Sequence, residues 1–353
     1  MEITVTLTSN PKQKPSSDHL GFGNLFSDHM FILDYTEGKG WHDARIVPYG
    51  PIPYEPSLMT FHYGQSIFEG LKAYRTKDDE IVLFRPDENM KRLNQSCDKL
   101  CIPRIDEDFA IEAMKKLVAI DKDWVPAAPG TSLYIRPFII ATDPFLGVRP
   151  SNTYQFIIIT GPVGAYYKEG LNPVKIYVES TYVRAVVGGI GAAKASANYA
   201  ASLKAQMVAK EKGYTQVLWL DGIERKYVEE VGTMNVFFVL GDEVVTPALN
   251  GSILAGITRK SCIELLKSWG LKVSERKVSI EEIYDANEKG QLTEAFGTGT
   301  AAVISPIGEL YWNEKRITLS GGKIGNLSQK LYDELTGIQY ANKPDPFNWM
   351  VRV

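Results

Sequence analysis

Three short glycine-rich segments carry the residues whose types and spacing could do chemistry: GGIGAAK at 188–194, GSILAGITRK at 251–260 and FGTGTAA at 296–302. In the first, Lys194 is flanked by Gly191, Ala192, Ala193 and Ala195 and followed by Asn198 and Tyr199. Small neighbours can leave an amine partly desolvated, the setting that suits Schiff-base chemistry. A surface lysine opening an alanine-rich helix has the same sequence. The segment is not a dinucleotide fingerprint, because Lys194 stands where G-x-G-x-x-G needs its third glycine, and it lacks the spacer of a Walker A loop. In the second segment, Gly256 allows a close turn, and Ile257 and Thr258 then present backbone N–H groups at a helix start. The helix dipole there favours an anion such as phosphate by ~0.3 to 2 kcal/mol; an ordinary capped helix fits equally. The third places Thr298, Thr300 and the Ala301 backbone among glycines, where a carboxylate could be gripped, or where the chain only turns. Glu229-Glu230-Val231-Gly232-Thr233 ends a predicted strand. A carboxylate there could partner a cofactor's pyridine nitrogen, an attraction of about 4 kcal/mol at ~4 Å and an effective dielectric of ~20.

A reactive lysine, a phosphate-binding helix start and a strand-end glutamate are the parts of a pyridoxal phosphate enzyme. Their order narrows the class further. The run from Lys194 through EVGTMN and GITR to FGTGTA, preceded by FSDHM, HYGQSIFEGLKAY, LFRPDENMKRL, SLYIRPFI and FLGV, resembles the branched-chain amino acid aminotransferases over nearly the whole chain. The resemblance implies an α+β, two-domain fold type IV pyridoxal phosphate enzyme, D-amino acid aminotransferase-like, with the cofactor at the domain interface. It implies Lys194 as the cofactor lysine, Tyr199 on the phenolic oxygen, and Glu230 as the pyridine-nitrogen partner, leaving Glu229 unassigned and adding Thr233 to the cofactor contacts. Phosphate would be held by Arg92, by the Ile257 and Thr258 amides with the Thr258 hydroxyl, and by Thr300. The substrate carboxylate would lie near Tyr63 and the Thr300-Ala301 backbone. Phe26, Tyr134 and Tyr166 would line an apolar pocket with Arg136 beside it, and Leu146 and Val148 would be donated across a homodimer interface.

The implied reaction is transamination between leucine, isoleucine or valine and 2-oxoglutarate, giving branched 2-oxo acids and L-glutamate through a Schiff base of Lys194 with pyridoxal 5'-phosphate. Arg136 is the candidate for glutamate's second carboxylate, since a guanidinium matches carboxylate geometry. Animal members carry a redox-sensitive CxxC after the Gly-Thr-Ala segment, whereas this chain has Ala302-Val303-Ile304-Ser305, which excludes thiol regulation there. A D-amino acid aminotransferase or an aminodeoxychorismate lyase shares the fold type and these parts. A non-catalytic phosphate-ligand binding protein would keep the anion loops without needing Lys194, Tyr199 and Glu230 together.

The elements that must position these residues follow from pattern. At 353 residues the chain is about 2.4 times the ~150-residue domain prior. The expected division is a small N-terminal α/β domain at 1–160, a Gly/Pro-rich linker at 161–173 and a large cofactor-bearing domain at 174–353. HMFILDY, EIVLF, SLYIRPFII and YQFIIIT read as strands. Helices are expected at 87–100, capped by Asp87, at 106–120 with Phe109, Ala113 and Leu117 on one face, over YAASLKAQMVAKEKG, and at 257–269. QVLWL and KYVEE flank Asp221-Gly222, and NVFFVL and EVVTP flank Gly241-Asp242, two hairpin signals. Hairpin runs with separate helices indicate α+β.

Composition excludes several partners. With 39 basic and 42 acidic residues the formal charge is −3, unlike a nucleic-acid-binding domain. Apolar residues at 44% and charged residues at 23% are ordinary for a soluble globular protein. No apolar run approaches the ~18 residues of a membrane span, and no signal sequence is evident, so a cytoplasmic protein is expected. Cys97, Cys101 and Cys262 suit no disulfide framework and read as buried thiols. No HxxxH pair occurs among His19, His29, His42 and His62, so no metal site is expected.

Overall fold

The computed structural model describes residues 1–164 and 171–353. The chain forms two compact units. One holds the chain through the end of the strand that closes at Val163, together with Ala193–Ala197 and Gly337–Val353; the other holds Asn198–Thr336 and the stretch leading up to Ala192. The expected division therefore shifts. The first unit is the larger by residue count, because the C-terminal residues return to it. Gly161 and Pro162 belong to a strand, so the expected linker does not begin there.

The first unit is built on a nine-stranded sheet. Its strands are β1 (Thr4–Val5), β2 (His29–Thr36), β3 (Gly40–Pro48), β4 (Ser66–Phe68), β5 (Leu71–Arg75), β6 (Ile81–Phe84), β7 (Ser132–Ala141), β8 (Thr153–Val163) and, from the far end of the chain, β18 (Met350–Arg352). All pairings are antiparallel except β1 with β3. The helices α1 (Met59–Tyr63), α2 (Pro86–Lys99) and α3 (Glu107–Ile120) belong to this unit.

Strand β7 shows how the sheet sorts its residues. Leu133, Ile135, Ile139 and Ala141 enter the core shared with α2 and α3, whereas Tyr134, Arg136, Phe138 and Ile140 alternate with them on the opposite face. That period of two is the geometry of a pleated strand. In α3, Ala113 and Leu117 are fully buried and Phe109 packs against the same core. Asp106 caps this helix by accepting from the Phe109 N–H at 2.9 Å. The start of α2 differs from expectation. Pro86 is its first residue, Arg85 precedes it at φ 49°, and Asp87 lies in the first turn rather than at the cap.

The second unit carries another nine-stranded sheet, made of β9 (Val174–Glu179), β10 (Gln216–Leu220), β11 (Val228–Val231), β12 (Asn235–Leu240), β13 (Glu243–Thr246), β14 (Lys272–Glu275), β15 (Leu292–Gly299), β16 (Val303–Trp312) and β17 (Lys315–Thr318). Its order is β11-β10-β9-β16-β15-β12-β13-β14, with β17 beside β16. The remaining helices are α4 (Ser196–Glu211), α5 (Ile257–Ser268), α6 (Ile280–Glu288) and α7 (Asn326–Gln339). Ala205 and Ala209 of α4 are small enough to bring the helix onto Val217 and Trp219 of β10. β12 and β13 form the expected hairpin, with Gly241 at φ 62° in its turn. β10 and β11 pair as expected, but a longer loop joins them in place of a two-residue turn. The Asp221 carboxylate organises that loop by accepting the N–H groups of Ile223, Glu224, Lys226 and Tyr227.

Cys97 and Cys262 are buried free thiols, and burial pushes Cys97 up to about 12; Cys101 is exposed. Two of the three thus match a packing role, and Cys101 departs from it, lying exposed just past the end of α2 at φ 54°. Among the described residues no helix is long and apolar enough to cross a membrane, and no cluster of His, Cys, Asp and Glu could hold a metal ion.

One buried ion pair ties α2 to the β4–β5 connection. Glu69 is fully buried, and its Oε1 and Oε2 each accept from Arg92, Nε and Nη2, at 2.8 Å. Asn89 Nδ2 at 2.7 Å and the Gly70 N–H at 3.2 Å complete the carboxylate's donors. Burial opposes the charge, but Arg92, Lys194 and Asn89 outweigh it and hold the Glu69 carboxyl below its ordinary value of 4.5. A depressed folded-state pKa contributes stability that is complete above the unfolded-state value and is lost as pH falls through the folded-state value. Glu69→Gln should therefore cost about 3 to 5 kcal/mol at pH 7 by urea unfolding, the loss expected when one partner of a buried pair is removed. The gap between the two proteins should narrow as pH drops below about 4. A gap independent of pH would show that the charge is not what stabilises this junction.

Candidate active site

Lys194 sits in the short Ala193–Ala197 segment that groups with the first unit. Its backbone is fixed from both sides: the N–H donates to Ser96 Oγ on α2 at 2.9 Å, and the C=O accepts from the Phe68 N–H at 3.0 Å. Ala195 bridges to Ile67, and the Ser66 and Ser196 hydroxyls are bonded at 2.8 Å. The lysine thus grows from a peptide held as an added edge on β4. Its side chain is half-buried, and Nζ lies 5.0 Å from the centroid of the Phe68 ring. The Arg136 guanidinium lies 4.6 Å from that same ring, so one aromatic side chain meets two cations at cation–π distance. Arg92 stands in the Glu69 pair described above, which orients its guanidinium.

On the outer face of β7, Phe26, Tyr134 and Arg136 line one cavity of about 200 Å³, together with Phe22, Ile159 and Gly161. Phe22 meets Tyr134 edge-on at 5.1 Å, and Phe26 stacks on Tyr49 at 5.0 Å. Arg136 Nη2 donates to the Tyr134 hydroxyl at 3.0 Å, while its buried Nε has no hydrogen-bond partner among the described residues. Gly161 belongs to this wall for a steric reason: a Cβ there would collide with the Leu25 carbonyl oxygen. Such a cavity accepts an aliphatic side chain against its rings and also offers a cationic donor to a carboxylate.

Three expected substrate contacts lie elsewhere within this unit. Tyr63, at the last turn of α1, is 41% exposed with its ring against His62, and Leu146 and Val148 are exposed on the β7–β8 connection. None of them lines the Tyr134–Arg136 cavity. Tyr166 falls outside the described residues.

In the second unit Glu230 is buried on β11. Arg184 Nε lies 2.5 Å from its Oε2, and Oε1 accepts from Asn235 Nδ2 at 3.2 Å and from the Leu254 N–H at 3.3 Å. Asn235 also donates to the Leu254 carbonyl at 2.8 Å, and a Cβ on Gly256 would strike Asn235 Oδ1. The glycine that opens the α5 turn is thus required by the same side chain that braces Glu230. Tyr199, Asn198, Ser202 and Thr233 border one narrow cleft with Arg184 and Glu230. Thr233 itself is exposed in the Val231–Met234 turn.

Helix α5 begins at Ile257 with Gly256 as its cap, which makes no side-chain capping hydrogen bond. Thr258 is buried in that turn. Thr300 and Ala301 form the half-buried β15–β16 connection, which is followed by Val303 at φ 62°. A β-branched residue at positive φ is a strained conformation costing ~1 to 3 kcal/mol, of the kind that collects at functional sites. Thr298, opposite Asn235 in the β12–β15 ladder, has a buried hydroxyl without a hydrogen-bond partner among the described residues.

Several contributors escape sequence reading. Phe68 and Glu69 lie inside the HYGQSIFEGLKAY motif, but nothing in their spacing assigns them to Lys194 and Arg92. Arg184 is a lone arginine in a loop, and Ser96 a lone serine on a helix. Ser96 stands 98 residues from the lysine whose amide it receives, beyond any local pattern, and Arg184 is likewise distant from Glu230.

Against known proteins, residues 66–310 match the family model for amino-transferase class IV. "Branched-chain-amino-acid aminotransferase 2" of Bacillus subtilis (strain 168) is 61% identical over 351 residues, covering 99% of this chain and 97% of its own length. The crystal structure of the Escherichia coli branched-chain amino acid aminotransferase superposes with a TM-score of 0.76 at 29% identity, covering 91% of this chain and 98% of that one. A T.th. branched-chain amino acid aminotransferase complexed with N-(5'-phosphopyridoxyl)-L-glutamate gives a TM-score of 0.74 at 26% identity, covering 91% and 97%. The chain belongs to the class IV aminotransferases and, within that family, to the branched-chain-amino-acid aminotransferases.

Proposed function

We propose that the chain moves amino groups between leucine, isoleucine or valine and 2-oxoglutarate, forming branched 2-oxo acids and L-glutamate, with pyridoxal 5'-phosphate held covalently by Lys194. The observation that carries this reading is the Tyr134–Arg136 cavity, where aromatic walls meet a guanidinium with an uncommitted buried N–H. A transaminase of this kind must accept an aliphatic side chain in one half-reaction and a carboxylate in the other. The phosphopyridoxyl-L-glutamate bound by the T.th. relative supports both the cofactor and the second substrate.

The donor set fits the cofactor. The chain supplies an amine at Lys194, a phenol at Tyr199, a buried carboxylate at Glu230 and uncapped helix amides at Ile257 and Thr258. Arg92, Thr233, the Thr258 hydroxyl and Thr300 complete the residues that would hold it. When bound, pyridoxal phosphate supplies a carbonyl that captures the substrate amine and a ring that takes up the electron pair from Cα. Lys194 Nζ moves the proton away from the substrate Cα. Glu230, paired with Arg184, holds a proton at the ring nitrogen. Arg136 receives the distal carboxylate of glutamate, and Phe26, Tyr134 and Tyr166 receive the aliphatic chains. Thr300, Ala301 and Tyr63 receive the α-carboxylate. Two copies associate, with Leu146 and Val148 presented to the neighbouring site, and the enzyme works in the cytoplasm, consistent with its free thiols.

Lys194→Ala should abolish turnover together with the borohydride-reducible chromophore of the purified protein; retention of both would refute the assignment of that lysine. Arg136→Met keeps the stem over Phe68 while deleting the charge. It should raise KM for glutamate and 2-oxoglutarate by roughly tenfold or more, the worth of a charged hydrogen bond, and change kcat/KM for leucine by less than about threefold. Equal effects on both substrates would remove Arg136 from the carboxylate role.

A further inference from the structure

Phe26 is half-buried and lines the Tyr134–Arg136 cavity, yet it belongs to no helix or strand. The chain entering it is exposed from Gly21 to Asn24, with Gly21 and Gly23 at φ 59° and 79°. Glycines constrain a backbone weakly, so the place of this wall is set by what the ring and its peptide rest on. Tyr49 stacks on Phe26, with ring centroids 5.0 Å apart and planes at 10°. Tyr49 is itself seated: it packs against the Met30, Ile32 and Ile157 cluster, and its N–H donates to the Asp28 carbonyl at 2.8 Å.

A further brace comes from the N-terminal arm. Lys12 Nζ donates to the Ser27 carbonyl at 2.8 Å and to the Phe26 carbonyl at 3.3 Å, and it lies 4.5 Å from the centroid of the Tyr49 ring. One ammonium, with three donors to give, thus reaches two successive carbonyls and the ring stacked on Phe26. The arm that carries this lysine is pinned by buried groups. The Thr8 N–H donates to His29 Nε2 at 2.9 Å, and the Lys12 N–H donates to Asp28 Oδ1 at 2.9 Å. Asp28 Oδ2 also accepts from Trp124 Nε1 at 2.8 Å and from Lys14 Nζ at 3.3 Å. Burial opposes the Asp28 charge, but the Lys12 N–H, Trp124 and Lys14 hold its carboxyl below the ordinary value of 3.8. Lys12 therefore approaches Phe26 from a fixed base, although the residue is exposed.

We propose that Lys12 is a positioning residue that sets the preference for aliphatic side chains by holding Phe26 against the cavity, a role that rests on the reading of that cavity as the substrate side-chain pocket. An aliphatic chain is held there by its contact with the walls. It loses binding when Phe26 must be ordered anew, whereas glutamate keeps the Arg136 guanidinium.

Lys12→Met keeps the stem and deletes the ammonium. In the holoenzyme it should raise KM for L-leucine by roughly three- to tenfold, with kcat and the KM for L-glutamate each within about twofold of the parent. Lys12→Arg, which still offers donors to both carbonyls, should bring the leucine KM back to within about twofold. In a Phe26→Ala background Lys12→Met should add less than about twofold, because the wall that it places is gone. Without substrate, amide hydrogen exchange in the peptide covering residues 20–27 should be faster in Lys12→Met than in the parent. An unchanged leucine KM, an equal rise in KM for both donors, a full effect in the Phe26→Ala background or unchanged exchange each overturns the proposal. A parent enzyme that forms no glutamate from leucine would refute the transaminase reading instead, and the exchange measurement, which needs no turnover, still decides whether Lys12 holds Phe26.

Discussion

Glu69 has no contact with water, and a carboxylate in that position survives as an anion only if every acceptor it presents is met by a donor. Arg92, Asn89 and the Gly70 amide meet it. That requirement locks α2 to the β4–β5 connection, and the anchoring of Lys194 within the first unit is built on the same two elements. α2 also carries Ser96, which receives the Lys194 amide, and β4 carries Phe68, whose own amide holds the Lys194 carbonyl. The same carboxylate feels the Lys194 ammonium. One buried charge thus orients an arginine beside the helix and the short strand that hold the lysine's backbone.

The second unit solves a parallel problem with different parts. Glu230 is buried, and Arg184, Asn235 and the Leu254 amide converge on it. Asn235 opens β12 and reaches the loop before α5, so the element that carries the glutamate's brace also borders the glycine that starts the helix. The Thr300–Val303 connection adds strain, because a β-branched residue stands there at positive φ where the antiparallel ladder of β15 and β16 closes. Rigid carboxylates and a strained turn are costly for a fold whose only task is stability. They are what a site needs if it is to present fixed charges to a reacting molecule.

Much of this was legible in the residues themselves. The helices α2, α3 and α5 followed from apolar spacing, the β12–β13 hairpin from Gly241-Asp242, and the family from an ordered series of motifs that no single glycine loop could have supplied. What stayed hidden depends on partners distant in sequence. Gly161 and Pro162 read as linker because their own chemistry breaks strands, yet Gly161 is required in β8 by the approach of the Leu25 carbonyl. Asp221-Gly222 read as a two-residue turn, but Asp221 spends its carboxylate on four amides and so stabilises a longer loop. The return of Gly337–Val353 to the first unit rests on β18 pairing with β6, a contact across most of the chain. Phe68, Arg184 and Ser96 carry no local signature at all, since each acquires its role only from what the fold brings to it.

The most direct measurement is the fate of nitrogen. Holoenzyme incubated with ¹⁵N-labelled L-leucine and 2-oxoglutarate should place the label in L-glutamate, mole for mole with the branched 2-oxo acid formed. Label released as ammonia, or glutamate formed from a D-amino acid in preference to L-leucine, would contradict amino transfer between branched-chain L-amino acids and 2-oxoglutarate.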